Sequence, residues 1–302
     1  MCGIVGLLLR DPDLEAHLGS LVVPMIAALD ERGPDSAGIA TYCDDPAVRF
    51  RLCVRQSGPG RPDWRAVATA LAGATGTEVA LSPESQPAAA SATLLLDCDP
   101  TDVRAVMGDM APGVHVVGWG RSLEIVKDVG RPSAICARHD IAGRRGHLAV
   151  AHTRMATESA VTADHSHPFV PAADLCMVHN GSFSNHASVR RRLEADGIGF
   201  ETDNDSEVAA RYLAARLAAG DSLAESVRWL MKDLDGFFTL VMSTGDELSV
   251  VRDAFACKPA VVAETEAYVA VASEYRALAT LPGIENAVVF EPQPEEVHTW
   301  RR

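Results

Sequence analysis

From Cys2 to Leu9 the chain reads Cys-Gly-Ile-Val-Gly-Leu-Leu-Leu, a short apolar run that predicts a buried strand. Leu18 to Leu29 has apolar residues at helical spacing and ends in Glu31-Arg32-Gly33-Pro34-Asp35, where Gly-Pro enforces a turn. Strands are predicted at 36–42 and 48–54. Residues 73–93, rich in Ala, Ser, Thr and Pro, read as a surface linker. Behind it, an apolar run at 93–97, a helical pattern at 101–110 and strands at 114–119 and 122–127 form a compact unit. Strand signals return at 148–152 and 175–178, followed by helices at 185–195, 205–219 and 221–234. Short strands at 237–242, 248–252 and 267–272 alternate with turns to the end. Strands, then helices, then strands again favour stacked layers over a doubly wound parallel sheet.

The length of 302 residues fits one large or two modest domains, and 47% hydrophobic with 23% charged residues is an ordinary globular profile. A net charge of −14 gives a nucleic-acid role no electrostatic support. No run approaches the ~18 apolar residues that span a bilayer, and the opening lacks the basic leader of a secretory signal. The seven cysteines are odd in number, scattered and without a C-x-x-C, so neither a zinc knuckle nor a disulfide framework is expected. A reduced, cytoplasmic location is the expectation.

Candidate chemistry starts at Cys2. With the initiator methionine removed, its thiol and a free α-amino group share one residue. An α-amino group titrates near pH ~8, so it can act as the base for its own nucleophile. The plainer alternative is a small buried residue on the first strand. Arg32-Gly33-Pro34-Asp35 by itself is a turn with a solvated charge pair. Arg154 closes an apolar strand and offers a planar fork suited to a carboxylate. Asn180-Gly181 after a strand supplies an amide and a backbone N–H suited to an oxyanion, although Asn-Gly is more often just a turn. In Thr202-Asp203-Asn204-Asp205-Ser206-Glu207, Asp205 or a neighbour reads first as a helix cap. His165 and His167 invite a metal reading, which no second cysteine–histidine cluster accompanies. Met107, Met110, Met155, Met177 and Met242 read as core fillers, the six later cysteines as packed thiols, and Arg190-Arg191-Arg192 as an exposed helix face.

Taken together these motifs resemble the class II glutamine amidotransferase domain of the N-terminal nucleophile hydrolases. The resemblance runs through Cys-Gly-Ile-Val-Gly at 2, Arg-Gly-Pro-Asp at 32 and His-Thr-Arg-Met-Ala-Thr at 152. It continues through His167-Pro168, His179-Asn180-Gly181, Asp205-Ser206-Glu207 and Ala272-Ser273-Glu274-Tyr275-Arg276, all in the family's order. It implies an α+β fold, a four-layer αββα sandwich, with the nucleophile at the end of an inner strand. It also implies roles. Cys2 would attack the glutamine side-chain amide, while Asn180 and Gly181 would hold the oxyanion. Arg154, helped by Thr157, would bind the substrate α-carboxylate and Asp205 its α-ammonium. Arg32 would order the nucleophile region.

Two departures from the common family pattern narrow the expectation. No synthase domain follows, which places acceptor chemistry on another polypeptide. The stretch between Arg32 and Arg154 is long, and its 73–130 portion is expected to be a linker plus an inserted α/β subdomain. These features are similar to the separately encoded amidotransferase chains of glutamate-synthase-like systems, one branch being the first subunit of N-methylglutamate synthase. That likeness implies a hetero-oligomer with a synthase partner carrying FMN and iron–sulfur centres, and no cofactor or metal in this chain. A free-standing γ-glutamyl amide hydrolase and a non-catalytic glutamine-sensing module are the alternatives.

Overall fold

The computed structural model describes residues 2–57, 62–85, 89–155, 162–163 and 165–302. The first third forms β1 (Gly3–Leu9), α1 (Leu18–Ala27), β2 (Ser36–Tyr42), β3 (Phe50–Gln56), α2 (Trp64–Thr75), β4 (Val79–Leu81) and β5 (Ser91–Leu96). There follow α3 (Pro100–Met110), β6 (Val114–Gly120), β7 (Leu123–Val129), α4 (Pro132–Arg138), β8 (Leu148–Arg154), β9 (Phe169–Ala172) and β10 (Leu175–Phe183). Three helices come next: α5 (His186–Ala195), α6 (Asp205–Ala218) and α7 (Leu223–Asp233). The last part holds β11 (Gly236–Ser243), β12 (Glu247–Arg252), β13 (Val261–Glu264), β14 (Tyr268–Ala272), α8 (Tyr275–Leu278), β15 (Val288–Phe290) and β16 (His298–Arg301).

Seven strands form one sheet, ordered β15-β13-β14-β1-β8-β2-β7, and five form a second, β16-β12-β11-β10-β9. β1 is a central strand, antiparallel to both β14 and β8. Its alternation decides the layering, because successive side chains of a strand point to opposite faces. Ile4 and Leu8 pack with Val178, Val241 and Val250 between the two sheets. Val5, Leu7 and Leu9 pack outward against Val22, Ile26 and Ile135 of α1 and α4. On the far side, Val208 and Leu213 of α6 and Val227 and Leu230 of α7 cover Met177 and Leu240 of the second sheet. Helix, sheet, sheet, helix: this is the expected αββα sandwich.

A third sheet, β4-β5-β3-β6, stands apart with α2 and α3 around Trp64, Leu71, Leu94 and Val103. Its elements run from Phe50 to Gly120, which differs from the boundaries the composition indicated. The unit begins earlier because β3 pairs with both β5 and β6. It ends earlier because β7 pairs with β2 in the seven-stranded sheet. The stretch read as a linker carries the end of α2, all of β4 and the start of β5. α2 went unrecognised although its ends are marked. The Asp63 carboxylate accepts the Arg65 and Ala66 N–H groups, and Gly76 closes the helix at φ +69°. Its Ala-Thr-Ala composition hid the apolar face that Trp64, Ala68 and Leu71 form.

Met107, Met177 and Met242 are core residues, whereas Met110 and Met155 are 41% and 46% exposed. Cys53, Cys136 and Cys176 are buried, and Cys257 is exposed. Among the described residues no helix is long and apolar enough to cross a membrane.

Candidate active site

Cys2 lies immediately before β1, at the end of a strand fixed on both sides. The Ile4 N–H donates to Ser273 Oγ at 2.9 Å and the Ser273 N–H returns to the Ile4 carbonyl at 3.0 Å. The Cys2 carbonyl accepts two further bonds, from Arg32 Nε at 2.7 Å and from Asn180 Nδ2 at 3.3 Å. Arg32 is itself held by Glu274, Nη1 to Oε1 at 2.5 Å, with the guanidinium buried. Three segments far apart in sequence thus meet on one main-chain oxygen.

The turn after Arg32 is pressed against the end of β8. The Asp35 N–H donates to the Arg154 carbonyl at 3.0 Å, and Pro34 bridges the same residue. A Cβ at Gly33 would overlap the Thr153 main chain, so the closeness of this contact requires glycine. Arg154 is buried at the strand end. Asn180 and Gly181 lie on β10 opposite Thr239 and Phe238 of β11. Gly181 adopts φ +150°, and a Cβ there would overlap the Phe237 carbonyl oxygen. Its side-chain-free face is what lets β10 and β11 stay paired beside Asn180.

Asp205 is the first residue of α6, and the cap is its neighbour Asn204, whose side chain accepts the Ser206 N–H at 2.8 Å. The Asp205 carboxylate instead ties α6 to β10. Oδ2 accepts the Phe183 N–H at 2.9 Å and Oδ1 the Ser206 hydroxyl at 3.3 Å. A carboxylate offers about four lone-pair sites, so capacity for a further cation is retained. Thr157 lies outside the described residues.

Behind these residues three histidines form a buried row. The His152 and His167 rings are 4.3 Å apart and the His167 and His179 rings 6.1 Å. His179 Nδ1 meets the Ser206 hydroxyl at 2.7 Å. Among the described residues its Nε2 and both ring nitrogens of His152 and His167 make no hydrogen bond within normal geometry. Burial pushes the His152 pKa down to about 3, and the charges of His179 and Arg154 add to this while the nearby His179 backbone offsets a little. Burial likewise lowers His179 to about 4 against the opposing pull of Asp205, and sets His167 well below the ordinary value. The row is therefore neutral at pH 7. The charges of both Arg154 and Asp205 reach it, which places those two residues of opposite sign around one buried region.

His165 pairs with the exposed Asp203 at 3.1 Å rather than with His167. No group of three or more metal-binding side chains occurs among the described residues. In the arginine run, Arg191 and Arg192 are exposed, but Arg190 lies 4.2 Å over the Phe200 ring and donates to the Thr202 carbonyl. Two contributors carried no individual role in the sequence reading, Ser273 and Glu274. Their signal was present in the closing Ala272-Ser273-Glu274 segment, but the partners Ile4 and Arg32 lie 269 and 242 residues away.

The sandwich with a cysteine before an inner strand defines an N-terminal nucleophile hydrolase fold. Residues 152–280 match the model of the glutamine amidotransferase domain. Over 301 residues the chain is 46% identical to the glutamine amidotransferase-like protein GlxB of Rhizobium meliloti (strain 1021), covering 99% of this chain and 98% of that one. The chain belongs to the class II glutamine amidotransferase family. Among solved structures it is similar to the allosteric regulatory enzyme of purine biosynthesis, with a TM-score of 0.64 and 17% identity over 99% of this chain. It is also similar to glutamine phosphoribosylpyrophosphate amidotransferase from B. subtilis complexed with ADP and GMP, with a TM-score of 0.60, 16% identity and 99% coverage. The chain spans about half the length of these two enzymes, 47% and 49%, and with them it shares the fold.

Proposed function

We propose that the chain is a glutaminase subunit that hydrolyses glutamine to glutamate and ammonia through a thioester at Cys2. The observation that carries the reading is the meeting of Asn180 Nδ2 and Arg32 Nε on the Cys2 carbonyl, which supports Asn180 as the oxyanion donor to an attack by Cys2. The chemistry follows from the residues. The Cys2 thiol gives its proton to its own α-amino group, and the sulfur attacks the side-chain amide carbon of glutamine. The carbonyl π pair moves to oxygen, where Asn180 Nδ2 and the Gly181 N–H receive the charge. Collapse breaks the C–N bond, the α-ammonium returns a proton to the leaving nitrogen, and ammonia departs. Water then attacks the thioester, and glutamate leaves as the thiol is restored.

Substrate selection in this reading uses both ends of a zwitterion. Arg154, with Thr157, takes the α-carboxylate and Asp205 takes the α-ammonium. Arg32, backed by Glu274, fixes the main chain that carries the nucleophile. The α-amino group must belong to Cys2 itself, so the active form begins at Cys2. We further assign the ammonia to a separate glutamate-synthase-like or N-methylglutamate-synthase chain, in a hetero-oligomer whose FMN and iron–sulfur centres belong to the partner.

The test is purification of the tagged chain from its native cells, with mass spectrometry of the chain and its companions and a glutamine hydrolysis assay. Active material beginning at Cys2 and a coloured complex with a synthase chain are expected. Activity in material retaining Met1 would overturn the nucleophile. A colourless, solitary chain that cleaves a range of γ-glutamyl amides would replace the subunit reading by a free-standing hydrolase.

A further inference from the structure

A cavity of about 770 Å³ opens where the inserted unit meets the amidotransferase core. Its walls come from α3 and β6 of the insertion and from β7, β9 and α6 of the sandwich. None of Cys2, Arg32, Arg154, Asn180, Gly181 or Asp205 lines it. It is separate from that group of residues and falls in the size range of small-molecule pockets.

The polar side chains there are unevenly committed. Glu207 is occupied. It accepts the Glu201 and Thr202 N–H groups and the Thr202 hydroxyl at 2.7–2.9 Å, and Arg211 pairs with both Glu207 and Glu201 at 3.3 Å. Arg104 is different. Its guanidinium stacks on the Trp119 ring at 3.9 Å, and among the described residues it makes no hydrogen bond or ion pair. Stacking orients the planar fork and leaves its N–H edge available. Burial lowers its pKa first, and the nearby Arg211 charge adds to this while Glu201 offsets it. A bound anion would offset the Arg211 charge felt at Arg104. Lys127 reaches the inner end, 4.9 Å from the Phe169 ring. The remaining wall is apolar, with Met107, Val116, Val170 and Pro171. In a chain of net charge −14, the lining holds Arg104 apart from its two carboxylates, Glu201 and Glu207, which Arg211 engages.

The geometry points to a binding site for a small organic anion whose carboxylate or phosphate is gripped by Arg104 and whose apolar body lies along Val116, Val170 and Phe169. Such a ligand bridges the insertion and α6, the helix that Asp205 begins. This assigns the inserted unit a task, the recognition of a small molecule other than glutamine.

Isothermal titration of the intact chain with benzoate, adenosine 5′-monophosphate and inorganic phosphate tests this. One organic anion is expected to bind with one-to-one stoichiometry and more tightly than inorganic phosphate, and the preference between benzoate and the nucleotide separates a carboxylate ligand from a phosphate one. Arg104→Gln should weaken that binding by about tenfold or more, the worth of a charge-assisted contact. Gly108→Phe should weaken it similarly by filling the cavity from α3. A Cβ at Gly108 meets nothing within 4 Å, and denaturant unfolding of the variant checks that its fold is kept. Binding should persist in Cys2→Ala, which separates the site from the glutaminase reading. Absence of saturable binding by either organic anion, a preference for inorganic phosphate, or equal binding to both cavity variants would each overturn the proposal.

Discussion

The Cys2 end of the sandwich and the cavity at the insertion seam are built by opposite means. At Cys2 the geometry is fixed largely through the main chain. The Cys2 carbonyl is bonded from two sides, Ile4 and Ser273 exchange bonds, and Gly33 and Gly181 permit approaches that any side chain would block. At the seam the walls are side chains from separate elements, and Arg104 is placed by stacking on Trp119. The first arrangement suits bond-making, where small displacements are costly. The second suits recognition, where one cationic fork and an apolar wall suffice. One molecule thus holds a site fixed through paired main chain and a second cavity walled by side chains at a boundary between cores.

The largest expected effect breaks the comparison at its first member. Cys2→Ala should abolish glutamine hydrolysis while leaving anion binding at the seam intact; residual turnover near the unsubstituted rate would remove Cys2 as nucleophile. Next, Asn180→Ala should lower kcat by about 10²–10³-fold, the effect of losing one oxyanion donor. Its KM should change far less, and a loss confined to KM would move Asn180 from the oxyanion to ground-state binding.

Glu274→Gln sharpens the point about main-chain fixing. Arg32 would lose its charged partner while its bond to the Cys2 carbonyl remains possible. Stability should fall by about 1.5–3 kcal/mol at most, measured by denaturant unfolding, with a drop in kcat that Glu274→Asp partly restores. Unchanged kcat in both would mean that the nucleophile strand holds its position without Arg32.

A separate effect, on stability alone, concerns pH. His152 and His179 have folded values of about 3 and about 4 against an ordinary 6.5, and His167 is also lowered. Above pH 6.5 these histidines are neutral in both folded and unfolded chains and cost nothing. Below it the unfolded chain takes up protons that the folded chain refuses, so stability falls as the pH drops toward 4. Denaturant midpoints at pH 7 and pH 5 should show this, and His152→Gln should reduce the slope by about one proton. A pH-independent midpoint would mean that these rings protonate without unfolding.

How far the sequence reached differs between the two regions for the same reason. Cys2, Arg32, Asn180 and Gly181 could be picked out because strand ends and tight turns leave local signatures, such as apolar runs closed by Asn-Gly or Gly-Pro. Their gathering around Cys2 was implied only by resemblance, and their convergence on its carbonyl came from the structure, since Arg32 and Asn180 lie 30 and 178 residues from Cys2. The limits of the third sheet differ from the 73–130 reading because β3 and β7 look alike as apolar strands. Pairing with β5 and β6 put one in the separate sheet, and pairing with β2 put the other in the sandwich.

The sequence by itself marked most of the strands as apolar runs, such as Ile4 to Leu9, and the central helices, an order that favoured stacked layers, while the αββα arrangement itself was implied by the resemblance. It also determined the chemical inventory: a thiol at position 2, an amide and a glycine on one strand, a cation at 154 and an anion at 205. Tertiary structure decided what each of these touches. The buried histidine row, the Glu274–Arg32–Cys2 chain and the cavity around Arg104 join residues whose separation along the chain leaves no local pattern. Side chains placed by packing between distant segments acquire their surroundings only when the layers close.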